Sequence, residues 1–334
     1  MTNSSTALAV LFHELGGPDV LKVEEIPLGA PGPDEVRVRV DALGLNKADT
    51  FFRAGTYFYQ PTLPGSRNGY EAAGVVEAIG TDVTGFVLGD PVVSVGNFEL
   101  SRYGVYGDRV ILPATSVIHR PDSVDAVTGA AVFLTYCTAY GALIEIGKVR
   151  PGDHVLITGG SSGVGLAAIE VANRIGAIPV VTTRTAVKKE RLLDAGAAHV
   201  VVTDEEDTVK EVRAFTGGQG AEFIFDAVGG PGLPRLSEAL AHAGTVIIYG
   251  WLDQRPAHLP VNWPLTVTGY NNFDITGTAD GRRRAAHYIN TGLASGAFKP
   301  VVDRVFDGLE ALPDAHRHMD SNTHLGKIVV TVGH

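Results

Sequence analysis

The sequence predicts an α/β protein: a doubly wound parallel sheet joined to a second, β-rich domain. Three observations carry that prediction. Residues Glu35–Leu43 (EVRVRVDAL) alternate apolar and charged side chains, as a half-buried strand does. From about Thr128 to Asp274, short apolar runs alternate with helical stretches, the mark of a parallel sheet covered on both faces. A glycine-rich loop, TGGSSGVGLAA (Thr158–Ala168), joins the first of these apolar runs to the helix after it. The 334 residues are too many for one ordinary core and suit two domains.

In chain order, Ala72–Gly80 and Asp90–Val95 are β-branched runs bounded by Gly, Pro and Asp, with turn pairs at Pro31-Gly32, Pro64-Gly65 and Gly89-Asp90. The strand–helix series then begins. His154–Thr158 leads to the glycine loop and the helix Leu166–Gly176, and Ile178–Thr183 precedes a helix over Val187–Gly196. Ala198–Thr203 precedes a helix over Glu206–Gly218, and Glu222–Gly230 precedes one over Gly232–Gly244. Thr245–Gly250 is the fifth strand and Leu265–Tyr270 a candidate sixth. The tail returns to a helix, Gly281–Gly296, and a strand, Gly326–Gly333. It is too small to form a domain, so it is expected to fold back onto the first. The expected boundaries are residues 1–128 with 275–334 for the β-rich domain, and 129–274 for the parallel sheet.

A hydrophobic share of 45% with 19% charged residues describes a folded globular chain. A formal net charge of −10 argues against nucleic acid or an anionic membrane surface as partner. No apolar run of the roughly 20 residues that span a bilayer is expected. The N-terminal stretch lacks a basic n-region and meets His13 and Glu14 early, so a cytoplasmic location is expected. The single cysteine, Cys137, lies in the apolar FLTYCTAYGAL and reads as a small core residue.

The glycine loop has the strand-before, helix-after context that dinucleotide binding requires. Its glycines let the backbone approach a pyrophosphate, and the helix N-terminus offers N–H groups and partial positive charge. NAD enzymes usually end the second strand with Asp or Glu, which holds the ribose 2′-hydroxyl. Here that place has Thr182, Thr183 and Arg184, with Lys188 and Lys189 beyond. Hydroxyls and cations accept a 2′-phosphate that a carboxylate repels, so the expected cofactor is NADPH. The loop can be parsed in two ways. T-G-x-x-x-G-x-G (Thr158, Gly159, Gly163, Gly165) usually opens a short-chain reductase, which needs a downstream Tyr-x-x-x-Lys. The tyrosines after the loop are Tyr249, Tyr270 and Tyr288, with Asp253, Asp274 and Gly292 four residues on, so that parse fails. G-x-x-G-V-G (Gly160, Gly163, Val164, Gly165) is left.

With that parse the chain resembles the medium-chain dehydrogenase/reductase superfamily, and most closely its zinc-free quinone oxidoreductase branch. The resemblance rests on Gly16–Asp49, Gly69–Gly80 (GYEAAGVVEAIG), Pro151–Ala172 (PGDHVLITGGSSGVGLAAIEVA), Asp194–Val201 (DAGAAHVV) and Gly326–Val330 (GKIVV). It implies a GroES-like catalytic domain split around a Rossmann NADPH-binding domain, an active site in the cleft between them, and a homodimer. Zinc-dependent members use Cys, His, and Cys or an acid as ligands. The matching positions here are Asn46 and Tyr70, neither a credible zinc ligand, and the proton-relay position is Ala48. The four-cysteine zinc lobe is missing, and Glu71 alone makes no metal site, so no metal is expected. His316, His318 and His324 share no helical face well and read as a surface segment.

Without a zinc ligand set no Lewis acid polarises a carbonyl. The resemblance then implies direct hydride transfer to a quinone, or to the C=C of an enone or enoyl thioester. Tyr57 lies eight residues after Asp49, a spacing similar to that of a tyrosine implicated as proton donor in enoyl reductases of the superfamily. Lining the cleft beside the nicotinamide is the other role open to it. Phe58 and Tyr59 make this loop aromatic, which suits a flat conjugated substrate. Asn46 is expected to face the cleft and contact the nicotinamide ribose. Asp49 reads as structural, and Arg67 as a structural cation or a contact for an acidic substrate. By resemblance, Thr135 lies near the nicotinamide, while Lys188, beside Thr183 and Arg184, meets the 2′-phosphate. Thr203 borders the adenine where relatives often carry Tyr. Val228, Tyr249 and Gly250 follow the fourth and fifth strands, and Asn322 is the C-terminal cofactor contact. The expected partner is a small conjugated substrate. The alternatives are an alcohol or carbonyl dehydrogenase, and an NADPH-binding module with little turnover.

Overall fold

Alternating and β-branched stretches dominate the start of the chain. β1 (Thr6–Leu11) and β2 (Lys22–Pro27) pair antiparallel as a two-stranded ribbon. β3 (Glu35–Gly44) buries Val36, Val38 and Val40 and turns Arg37 to Glu77, as its alternation predicts. β4 (Glu71–Ile79), β5 (Pro91–Ser94), β6 (Arg109–Pro113) and β7 (Val117–His119) come next. The parallel series is β8 (His154–Ile157), β9 (Ile178–Thr183), β10 (His199–Val202), β11 (Ala221–Asp226), β12 (Leu240–Ile248) and β13 (Thr266–Gly269). β14 (Val302–Asp307) and β15 (Lys327–Thr331) close the chain. This computed structural model describes residues 6–334; the first five residues of the expected first domain lie outside the described residues.

β8 to β13 form one parallel sheet of six strands, in the order β10-β9-β8-β11-β12-β13. The candidate sixth strand is present as β13. The winding reverses between β8 and β11, the point at which doubly wound sheets bind ligands. Leu156, Val180, Val201, Ile224 and Val246 are fully buried, as strands covered on both faces require. A second sheet of seven strands runs β14-β15-β3-β4-β5-β7, with β6 also on β3. β15 pairs antiparallel with β3 and parallel with β14, so the tail does return to the first sheet.

By its internal contacts the chain divides into two units. One runs to Leu134 and adds Thr276–Arg282 and Pro300–His334; the other is Thr135–Ile275 with Arg283–Lys299. The expected boundaries gave all of 275–334 to the first domain, and this is corrected for 283–299. Arg174 is one of the ties, with Arg284 on Glu145 and the Lys299 N–H on Glu170. The Arg174 guanidinium donates to Tyr288 O at 2.7 Å and Thr291 Oγ1 at 2.8 Å, and lies over the rings of Tyr288 and Phe298.

Two further expectations change. The helix expected over Gly232–Gly244 covers only Leu233–Ser237, because β12 begins at Leu240. Pairing with β11 overrides the helical preference of the Ala- and Leu-rich segment. One helix, Ala126–Ile146, is apolar over 21 residues where no run of that length was expected. By length and composition it could cross a bilayer. Of its most apolar window 78% is buried inside the protein, as in a core helix.

Candidate active site

In the parallel-sheet unit the chain leaves β8 through Gly159, which takes a φ of 61°. Ser162 caps the next helix (Gly163–Ile175), its Oγ accepting from the Gly165 N–H at 3.0 Å. The loop lies hard against β9. A methyl group on Gly160 would stand 1.8 Å from Val181 Cγ1, and one on Gly165 2.6 Å from the Gly159 carbonyl oxygen. Only glycine fits at either place, so the loop presents bare backbone and the first N–H groups of a helix. A pyrophosphate binds that combination, and the residues present fit a dinucleotide.

Asp226, fully buried at the end of β11, ties this end of the sheet together. Its Oδ1 accepts from Thr158 Oγ1 at 2.7 Å and from Val228 N at 3.1 Å, and its Oδ2 from Gly229 N at 2.8 Å. Just past β12, Tyr249 stacks on Phe225 with ring centroids 4.0 Å apart. A methyl on the next residue, Gly250, would stand 2.8 Å from the Ala227 carbonyl oxygen. Thr203 N donates to Thr183 O at 2.8 Å. Lys188 Nζ reaches back to Ser161 Oγ at 3.2 Å, which brings a cation to the glycine loop, while Arg184 is exposed. Gly160, Gly163, Val164, Gly165, Thr183, Lys188, Thr203, Val228, Tyr249 and Gly250 therefore all lie at the carboxyl ends of strands or just beyond. Thr135 is buried within the helix Ala126–Tyr140.

In the other unit, Asn46 opens the helix Lys47–Ala54, its backbone N–H donating to Asp49 Oδ2 at 2.8 Å. Its side chain turns to a buried ammonium: Asn46 Oδ1 accepts from Lys327 Nζ at 2.8 Å. The same ammonium donates to Glu71 Oε2 at 2.6 Å and to Leu45 O at 2.8 Å, which uses all three of its donors. Lys327 is 4% exposed and Glu71 0%. Buried charges persist only with such partners.

Tyr70, one residue before Glu71, is also buried. Its hydroxyl lies 2.9 Å from Tyr59 Oη and hydrogen-bonds the Tyr57 hydroxyl as well. Tyr59 Oη accepts from Leu100 N at 3.2 Å. The Tyr57 ring packs on Phe58 at 4.3 Å and on Tyr59 at 5.3 Å. Burial pushes all three phenols above their ordinary range, so each is a neutral hydroxyl near pH 7. The Arg67 guanidinium makes no hydrogen bond or ion pair among the described residues, and burial lowers its pKa.

His316 is not on the surface as expected; it is 0% exposed. Leu312, Ala315, His316 and Met319 make one inward stripe of the helix Leu312–Ser321. His316 Nε2 lies 3.2 Å from the Tyr106 hydroxyl, which donates to Asp49 Oδ2 at 3.0 Å. Burial raises the Asp49 carboxyl to about 7; burial, with Arg53 and Lys47 nearby, lowers His316 to about 3. Between about pH 4 and 6.5, folding therefore adds a proton at Asp49 and removes one at His316, and the two pH slopes offset. Asp49→Asn is expected to expose the histidine alone, so that stability rises with pH across this window, by up to about 1.4 kcal/mol per unit. His316→Gln exposes the aspartate alone, and stability then falls as pH rises. Urea unfolding at several pH values reads both; slopes of the same sign in the two variants would refute the assignment.

Residues 32–122 match the alcohol dehydrogenase GroES-like domain family, and residues 163–291 the zinc-binding dehydrogenase family. Quinone oxidoreductase of Homo sapiens is 30% identical over 324 residues, covering 95% of each chain. A 2-haloacrylate reductase of Burkholderia sp is 34% identical over 341 residues, covering 97% of this chain and 98% of that one. The chain belongs to the medium-chain dehydrogenase/reductase superfamily, in its quinone oxidoreductase-like branch. The structure of Escherichia coli quinone oxidoreductase complexed with NADPH matches it with a TM-score of 0.87 at 28% identity, over 98% of this chain and 100% of that one.

The zinc-binding family description invites a metal where this member of the superfamily has Asn46, Tyr70 and Glu71. The donors do not fit one. Zinc takes thiolate, imidazole and carboxylate in a tetrahedron. Here an amide and one carboxylate already hold an ammonium, that of Lys327. Among the described residues, no group of three or more His, Cys, Asp and Glu side chains could hold a metal ion. Sequence reading missed Lys327 and Asp226 as organisers of the two sites. Both are charges set at the ends of apolar strands, in GKIVV and FIFDAV, and a charge that the strand pattern must bury is the signal that could have found them. Asn322 ends the helix Leu312–Ser321 at a φ of 56°, with its Nδ2 donating to Asp320 O at 2.9 Å. That left-handed turn favours asparagine by itself.

Proposed function

We propose that this oxidoreductase is an NADPH-dependent, zinc-free reductase of quinones, or of the activated C=C of an enone or enoyl thioester. The observation that carries this reading is the Lys327 ammonium bound to Asn46 and Glu71. The positive charge there is a fixed protein group with its donors spent, so the acceptor has to be activated by its own conjugation. NADPH as cofactor is supported by Lys188 at the glycine loop, by the absence of a carboxylate at Thr183–Arg184, and by the NADPH complex of the E. coli relative.

Bound NADPH supplies a hydride. Gly160 and Gly165 would hold its pyrophosphate against backbone N–H groups, and Lys188 with Thr183 and Arg184 would hold the 2′-phosphate. Asn46, its carboxamide fixed by Lys327, would be the contact for the ribose of the nicotinamide. Tyr57 holds a neutral phenol, whose proton would go to the oxygen or α-carbon of the reduced acceptor. One hydride and one proton complete the reduction, and water restores the phenol.

The test is NADPH oxidation with a quinone and with a simple enone, with and without a chelator. Turnover is expected, unchanged by the chelator. Loss of turnover on chelation would sink the zinc-free reading. Tight NADPH binding without turnover would leave a binding module, and alcohol oxidation in place of alkene reduction would leave a dehydrogenase. Among the described residues Arg67 has no carboxylate partner, and the Burkholderia relative is named for haloacrylate reduction. An unsaturated acid therefore belongs in the same panel.

A further inference from the structure

Tyr57, Tyr59 and Tyr70 are linked hydroxyl to hydroxyl, and a backbone N–H stands at one end of the relay. We propose that Tyr70 and Tyr59 are positioning residues for Tyr57: they fix its phenol and stabilise the phenolate that remains when its proton is given up. This rests on the reading of Tyr57 as the proton donor.

The backbone end leaves one direction of donation open along the whole relay. Leu100 N–H can only donate, and Tyr59 Oη accepts from it at 3.2 Å. Tyr59 then has its own O–H to give, and Tyr70 Oη stands 2.9 Å away. Tyr70 in turn has an O–H to give to Tyr57. Donation from the backbone toward Tyr57 is thus open to the relay, and it is the sense that a developing phenolate needs.

The middle member cannot swing away. Tyr70 is 3% exposed, its ring lies 5.8 Å from that of Phe98, and its carbonyl accepts from Ser94 Oγ at 2.9 Å. Tyr70 also occupies the position that the zinc-dependent pattern gives to a histidine ligand, so the place of a metal ligand is taken by a hydroxyl relay. In the step itself, the Tyr57 O–H bond breaks and a bond from that hydrogen to the acceptor's α-carbon or oxygen forms. The electron pair stays on the Tyr57 oxygen, where the Tyr70 O–H meets it. Solvent water later returns a proton to Tyr57, so the proton consumed comes from water.

The experiment uses the full chain with an enone acceptor and the variants Tyr57→Phe, Tyr70→Phe, Tyr59→Phe and the double Tyr57→Phe/Tyr70→Phe. Each keeps the ring and removes only a hydroxyl. Tyr57→Phe is expected to lower kcat about 10²- to 10⁴-fold, as loss of a general acid does. Tyr70→Phe is expected to lower kcat about 10- to 100-fold, through loss of a hydrogen bond to a charged oxygen, and Tyr59→Phe less. The Kd for NADPH, read by nicotinamide fluorescence, stays unchanged in all of them. The solvent isotope effect on kcat rises in Tyr70→Phe. The double variant is no slower than Tyr57→Phe, because Tyr70 acts through Tyr57. A double variant slower than Tyr57→Phe by the full Tyr70→Phe factor overturns the proposal, since it gives Tyr70 an independent, structural role. Tyr57→Phe impaired with Tyr70→Phe unimpaired overturns this proposal alone. Full kcat in Tyr57→Phe overturns the donor reading and this proposal with it.

Discussion

Lys327→Met is expected to destabilise the fold by about 3–5 kcal/mol, read as a lowered urea midpoint. The loss comes less from the lysine than from what it leaves behind. Glu71 is 0% exposed, and without the ammonium 2.6 Å away it is a carboxylate with no counter-charge. Asn46 Oδ1 and the Leu45 carbonyl lose the same donor. Lys327→Met combined with Glu71→Gln removes both charges and is expected to recover part of the loss, since an uncharged buried pair pays less desolvation than a lone ion. A Lys327→Met protein as stable as the parent would show that the pair does not hold the first sheet. The variant also releases the Asn46 carboxamide, so weaker hydride transfer is expected in whatever fraction stays folded.

Gly160→Ala is expected to weaken NADPH binding. The added carbon would stand 1.8 Å from Val181 Cγ1 and 3.2 Å from the Thr182 carbonyl oxygen. Val181 is fully buried in β9, between strands on both sides, so the loop rather than the strand has to move. Overpacking of this kind costs about 1–3 kcal/mol. A displaced loop no longer aims its N–H groups at the pyrophosphate. Fluorescence titration with NADPH reads the effect. Adding Val181→Ala makes room and should restore part of the affinity. Gly232→Ala, whose methyl meets nothing within 4 Å, is the control and should bind normally. Unchanged binding in Gly160→Ala would mean that the loop does not carry the pyrophosphate.

Local periodicity makes the parallel sheet legible in the sequence. Its inner strands announce themselves because strands buried on both faces are continuous apolar runs, and the glycine loop sits where the first of them ends; β13, at the sheet edge with no buried residue, is legible only as a candidate. The segment after Ser237 misleads, since Ala and Leu favour a helix while pairing with β11 makes it strand. His316 misleads for another reason. LPDAHRHMDS looks solvated by composition, yet its 312, 315, 316, 319 spacing is a buried helical face. Tyr57 and Asn46 could be singled out from sequence, but their partners could not. The Tyr59–Tyr70 contact and the Lys327 ammonium depend on how distant segments pack, and no local pattern encodes that.

β15 is synthesised long after β3 and β4, yet it enters the same sheet. Glu71 and the lysine that neutralises it are 256 residues apart. At a synthesis rate of about 5–20 residues per second, the carboxylate waits roughly 13–50 s for its counter-ion. Until then it stays solvated only while β3 and β4 remain open to water. The strands β8 to β13 need nothing beyond Gly269 to complete their sheet. The parallel sheet can therefore close before Lys327 is made, while closing of the first sheet waits for it.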